Sequence, residues 1–167
     1  MSTADRQARM REMGEAMRIF MARAILFQEA VARSAGLNAT DLQCANLLRL
    51  YGPATPGELA ERAGLTAGGG ITAVIDRLER AGLVHRTRDT ADRRRVVVTA
   101  DDAALWRRVG AVYSRIGRRW EEHLEHLDDD QLALAIELFT RAAELNHDET
   151  VRLRAQARPQ PSEEGPA

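Results

Sequence analysis

The spacing of apolar residues changes character three times along the chain. Between residues 5 and 34, Met10, Met13, Met17, Phe20, Ala24, Phe27 and Val31 follow one another at intervals of 3 and 4. That is a helical stripe of heptad period, long enough to ask for another helix to pack on. Gly36 stands where such a helix ends. Shorter, sharply punctuated helices are predicted next. Thr40-Asp-Leu-Gln43 reads as a capping box, opening a helix through Leu47, Leu48 and Leu50 that stops at Gly52-Pro53. Thr55-Pro56-Gly57-Glu58 reads as a second box with proline in the first turn, and its helix ends at Gly64. Thr66 is expected to cap a third helix, with Ile71, Val74, Ile75 and Leu78 on its apolar face and Gly82 beyond its end.

The period then becomes that of strands. Residues 83–88 and 95–99 are β-branched and arginine-rich, and the polar segment 89–94 joins them as a hairpin tip. From Asp102 the helical period returns, with Leu105, Val109, Val112, Ile116 and Trp120 on one face. Asp128 opens a last helix through Leu132, Ile136, Phe139 and Ala143. Residues 158–167 are rich in Pro, Gln, Ser, Glu and Gly and are expected to be a disordered tail.

The predicted fold is mostly α with a small β-hairpin. Helix, short helix, turn, helix and hairpin in succession form a winged helix-turn-helix domain over residues 37–101. Residues 1–36 and 102–157 supply long N- and C-terminal helices, and the heptad seam of the first asks for another helix to pack on. In such a domain the second helix of the pair reads the DNA major groove and the hairpin is the wing.

Composition sharpens this picture in a few places. The 167 residues hold 24 basic and 25 acidic groups, a net charge of −1 that excludes a globally basic nucleic-acid coat protein. Locally the balance differs. From residue 80 to residue 99, Arg80, Arg86, Arg88, Arg93, Arg94 and Arg95 face only Asp89 and Asp92, leaving +4 on the hairpin and about −5 elsewhere. A basic protrusion on a slightly acidic body is the electrostatic footprint of a DNA-reading surface. Every basic residue is Arg, so no lysine is present for a Schiff base or a phosphate loop. No nucleophile–base pairing or metal-ligand set stands out, so neither an enzyme nor a cofactor is expected. A single cysteine, and the lack of any signal or membrane-spanning stretch, suit a cytoplasmic protein off the membrane.

Three segments carry a resemblance to a known family. They are Pro56-Gly-Glu-Leu-Ala-Glu-Arg-Ala-Gly-Leu65, Ile71-Thr-Ala-Val-Ile-Asp-Arg-Leu-Glu-Arg-Ala-Gly-Leu-Val84, and Asp92-Arg-Arg94 leading to Val98-Thr99. Across residues 40–100 the chain resembles the multiple antibiotic resistance regulator (MarR) family of bacterial transcription factors. The resemblance implies a homodimer built from the terminal helices, a pseudo-palindromic operator in double-stranded DNA, repression, and release by a small lipophilic or phenolic effector or by oxidation. It implies that Arg94 enters the minor groove and that Asp92 holds the wing in shape through a neighbouring arginine. Arg93 and Arg95 would add phosphate contacts. Residues from Thr66 to Thr72, including Ala67, Gly68 and Gly69, would face the major groove, and Arg77 the DNA backbone. Arg86 and Arg88 complete the expected DNA-binding set. The chain departs from the family pattern at Ala67-Gly68-Gly69-Gly70, where many members carry larger polar residues. Few side chains would then read bases, leaving specificity to Thr66, Thr72 and DNA shape.

Other features have plainer readings. Cys44, in a helix between leucines, reads as a small buried hydrophobe, with a redox-responsive regulator as the alternative. His123 and His126 share a helical face among Glu121, Glu122 and Glu125, but spacing sets no third ligand, so no metal is assigned. The methionine stripe reads as dimer or core packing, and Met17, Phe20, Phe27 and Trp106 as candidates for lining an effector cavity. The alternative from another class is a winged-helix module that binds protein rather than DNA. Intramolecular carboxylates bonded to the wing arginines would favour it.

Overall fold

The computed structural model describes residues 2–65, 68–89, 92 and 94–156. Its elements are α1 (Thr3–Ser34), α2 (Ala39–Tyr51), α3 (Pro56–Ala63), α4 (Gly69–Arg80), β1 (Val84–Arg88), β2 (Val96–Ala100), α5 (Asp102–Leu124) and α6 (Asp129–Gln156). The order and type of element agree with the expected winged helix-turn-helix and its long flanking helices. Thr66, Ala67, Arg93 and the expected tail at 158–167 lie outside the described residues.

The start of most helices follows from their capping chemistry. At α3 the reciprocal box is present: the Glu58 amide donates to Thr55 Oγ1 at 3.3 Å, and the Thr55 amide donates to Glu58 Oε2 at 2.8 Å. At α6 the Gln131 and Asp128 amides exchange bonds with the partner side chains at 2.8 and 3.0 Å. The box expected at Thr40 does not form. Asn38 caps α2 instead, its side chain accepting the Asp41 amide at 2.8 Å, so that Thr40 already lies inside the first turn. A second correction concerns α4. Gly68 holds the N-cap position, with φ 123° and ψ −141° and no side-chain cap bond. That backbone conformation suits only glycine, so the helix begins where the backbone turns and not where a side chain could cap it.

The strands pair antiparallel with Arg86 opposite Val98, each one residue later than the apolar pattern predicts at its start. Ala54 adds an isolated bridge to Val98, with bonds of 3.1 and 2.8 Å that tie the hairpin to the loop before α3. Gly82, at φ 67°, lets the Leu83 amide reach back to the Leu78 carbonyl at 2.9 Å and turns the chain from α4 into the wing.

The chain falls into two compact units, the first ending at Ser114 and the second beginning at Arg115, within α5. The first holds one core. Leu42, Cys44, Leu48, Leu59, Ile71, Ile75, Leu78, Leu83, Val98, Leu105 and Val109 are all buried, and Val31 and Ala32 from the end of α1 join them. In the second unit, α6 buries none of its described residues. Along α1 the predicted stripe also includes exposed positions, with Met10 65% and Met13 44% exposed.

Candidate nucleic-acid interface

The amphipathic character of α4 creates the surface. Ile71, Val74, Ile75 and Leu78 face the core. Gly69, Thr72, Asp76 and Glu79 are exposed, at positions that form one stripe along the opposite side. The helix is held down by α3 and α2, and its exposed stripe lies next to the hairpin. An added Cβ at Gly68, Gly69 or Gly70 would meet open space, so no packing inside the protein demands glycine in this first turn. Thr72 Oγ1 donates to the Gly68 carbonyl at 3.3 Å, which fixes the first exposed hydroxyl of the described stripe.

The arginines divide into two groups. Arg86, on β1, reaches the neighbouring helix and pairs with Asp76 at 2.5 Å and with Glu79, while its own amide donates to Glu79 Oε1 at 3.3 Å. These partners raise its pKa further and hold it charged. Arg95 donates to Glu58 Oε1 at 2.9 Å. The same carboxylate accepts the Thr55 amide and, chiefly through its bonds to Thr55, is held below the usual glutamate range. Arg88 and Arg94 are exposed and, among the described residues, form no ion pair. They stand at the end of the hairpin away from the core.

Asp92 shapes this end of the hairpin through backbone bonds; Arg93, its neighbour in the expected guanidinium contact, lies outside the described residues. The Asp92 Oδ1 accepts the Arg94 amide at 3.0 Å, and the Asp92 carbonyl accepts the Arg95 amide at 2.9 Å. The Asp89 amide then donates to the Arg95 carbonyl at 3.0 Å and closes the turn. A short carboxylate two residues before an amide is the usual Asx arrangement, so an aspartate is the suitable residue.

Arg77 is placed differently from the expectation of a DNA-backbone contact. Its guanidinium forks onto Asp41 of α2, with Nη2 to Oδ1 at 2.7 Å and Nε to both oxygens at 3.0 and 3.2 Å. The Asp41 side chain is only 3% exposed, so removing Arg77 would strand a buried carboxylate. This tie between α2 and α4 went unseen in the sequence, where Asp41 read as part of a cap. Arg77 did carry a signal: it falls on the border of the apolar stripe of α4. Cys44, one turn after Asp41, is fully buried. Burial first and Asp41 second push its thiol up to about 11, so it is protonated at neutral pH.

The four residues expected to line an effector cavity are not gathered into one. Phe27 packs edge-on to Tyr113, with ring centroids 6.2 Å apart. Trp106 lies over Gly110, where a Cβ would come within 2.7 Å of the indole. Met17 and Phe20 are exposed on α1. An open groove of about 430 Å³ runs instead between α1 and α2, lined by Ala24, Ile25, Gln28, Leu47 and Leu50 among others. Among the described residues no cluster of three metal-ligating side chains occurs, and His123 meets the Trp120 ring edge-on.

Comparison with known proteins agrees with this geometry. The model of the MarR family matches residues 37–96, the winged region. The helix-turn-helix-type transcriptional regulator YcgE of Bacillus subtilis is 35% identical over 132 residues, which cover 79% of this chain and 84% of that protein. The chain belongs to the MarR family. It is thus a MarR-family transcriptional regulator, and solved structures share its fold. A MarR family protein from Bacillus stearothermophilus superposes with a TM-score of 0.60 at 23% identity, covering 87% of this chain and 97% of that one. FabT of Streptococcus pneumoniae, solved in complex with DNA, gives 0.61 at 17% identity over 83% and 97% of the two chains. In this MarR-family chain no described helix is long and apolar enough to cross a membrane.

Proposed function

We propose that this MarR-family regulator is a cytoplasmic homodimeric repressor that binds a pseudo-palindromic operator and is released by a small lipophilic or phenolic effector. One observation carries the DNA reading. The exposed stripe of α4 begins with unobstructed backbone at Gly68 and Gly69, continues to Thr72, and adjoins a wing whose Arg88 and Arg94 have no ion pair among the described residues. In this reading α4 lies in the major groove and Arg94 enters the minor groove, where an arginine fork suits the narrow, negative channel. Arg88 bonds phosphate.

The exposed apolar positions of α1 and α6 support a dimer, because Met10, Ile25, Leu134, Ile136 and Leu153 are each more than half exposed. Two-fold symmetry would set the reading helices about one DNA turn, ~34 Å, apart. For the effector, the apolar groove between α1 and α2 supports a site better than Met17, Phe20, Phe27 and Trp106 do.

Arg86 and Arg95 do bond intramolecular carboxylates, the feature that would favour a protein-binding module. Arg88 and Arg94, which form no ion pair among the described residues, favour DNA. A redox-responsive role for Cys44 is not supported by a buried thiol whose pKa is about 11.

The test is a salt-series binding assay on DNA from the regulator's own promoter region, with random DNA as control. Tight, sequence-dependent binding with a steep salt slope is expected. Equal, weak binding to both DNAs would overturn the operator reading.

A further inference from the structure

Two carboxylates, Asp76 and Glu79, share the exposed stripe of α4 with Thr72. On a helix meant to approach phosphates, two acids on the outward face oppose binding. Arg86 answers both. Its guanidinium bonds Asp76 with Nη2 and Glu79 with Nη1, and the amide of the same residue bonds Glu79 as well. The side chain is only 28% exposed, against 50% for Arg95, and among the described residues its side-chain bonds run to α4. Strand β1 is thereby fastened to α4 at mid-strand, opposite Val98, itself fully buried and bridged to Ala54.

We propose that Arg86 serves DNA binding without touching DNA. It is a positioning residue that cancels the two acids on the reading stripe and pins the wing to that helix. Arginine is suited to this because one planar fork can span two carboxylates, which a lysine ammonium cannot do in fixed geometry. The positive charge that engages phosphate then resides farther along the hairpin. This inference rests on the DNA-binding reading above.

A double-mutant cycle separates the two roles an arginine could have here. The full chain is titrated with its operator at several salt concentrations as four proteins: parent, Arg86→Ala, Asp76→Asn with Glu79→Gln, and the combination. In the parent background Arg86→Ala should weaken binding about tenfold, because two uncovered acids then face the phosphates. In the Asn/Gln background the same change should cost less than about twofold. An equal loss in both backgrounds, with the salt slope falling by the ~0.9 that one phosphate contact contributes, would make Arg86 a direct contact and overturn the inference. Should Arg86→Ala fail to melt cooperatively, the Asn/Gln protein decides alone. It must bind at least as tightly as the parent, and weaker binding overturns the inference. A parent that shows no sequence-dependent binding would instead sink the DNA reading itself, so the two failures are distinguishable.

Discussion

Helices α4 and α6 carry apolar residues at the same helical spacing, yet they meet opposite fates. Twelve residues of α4 bury Ile71, Val74, Ile75 and Leu78, whereas 28 residues of α6 bury none. Most of α1 behaves like α6, and only Val31 and Ala32 at its end are buried. The difference lies in what surrounds each face. The stripe of α4 is enclosed by α2, α3 and the base of the hairpin, so its packing is complete within one chain. Along α1 and α6, by contrast, large apolar side chains such as Met10, Ile25, Leu134 and Leu145 stay more than half exposed. Apolar surface left in water on this scale is a driving force for association. The winged region thus finds its core partners within the chain, including Val31 and Ala32 of α1 and Leu105 and Val109 of α5, while the exposed apolar positions of the flanking helices suit the proposed second copy.

Substitutions can break this contrast from either side. The largest effect is expected in the winged region. Leu59→Ala, at a fully buried site of α3, should cost about 2–5 kcal/mol, seen as a lower denaturant midpoint. An exposed counterpart should behave the other way round. Leu138→Asp with Leu145→Asp, two exposed positions seven residues apart on α6, should leave the secondary structure intact but give a monomer in sedimentation. Operator affinity should fall about 10²-fold as the second half-site is lost. A dimer that survives this change would show that α6 is not the dimer face.

Smaller effects sharpen the comparison within the winged region itself. Arg94→Ala should weaken binding to operator and random DNA alike and lower the salt slope by about one. An unchanged affinity at two salt concentrations would remove Arg94 from the interface. The smallest effect concerns Cys44. Burial holds its thiol at about 11, above the 9.0 of an open chain, so the folded state keeps a proton that the unfolded state releases. The resulting stability is intact below pH 9 and is lost as pH rises toward 11. Relative to Cys44→Ala, the parent should therefore lose about 1 kcal/mol more stability by pH 10. Parallel curves for the two proteins would show the thiol to be open to water.

Much of this was legible along the chain. The order and type of every described element follow from period and glycine punctuation, because these are local properties of the backbone and its nearest side chains. The basic hairpin, the exposed stripe of α4 and the MarR-family segments were likewise readable. Which arginines are spoken for was not. Arg77, Arg86 and Arg95 differ from Arg88 and Arg94 only in having Asp41, Asp76, Glu79 or Glu58 within reach. Two of these pairings, Arg77 with Asp41 and Arg95 with Glu58, span more than thirty residues of sequence. Capping was misjudged at Thr40 for a related reason, since Asn38 and Thr40 are both competent caps and the packing of α2 chose between them. Sequence determined the elements and the sign of each surface, because propensity and charge belong to residues. Tertiary structure decided which charges remain available to DNA and which apolar faces remain open, because pairing and burial belong to the space between elements.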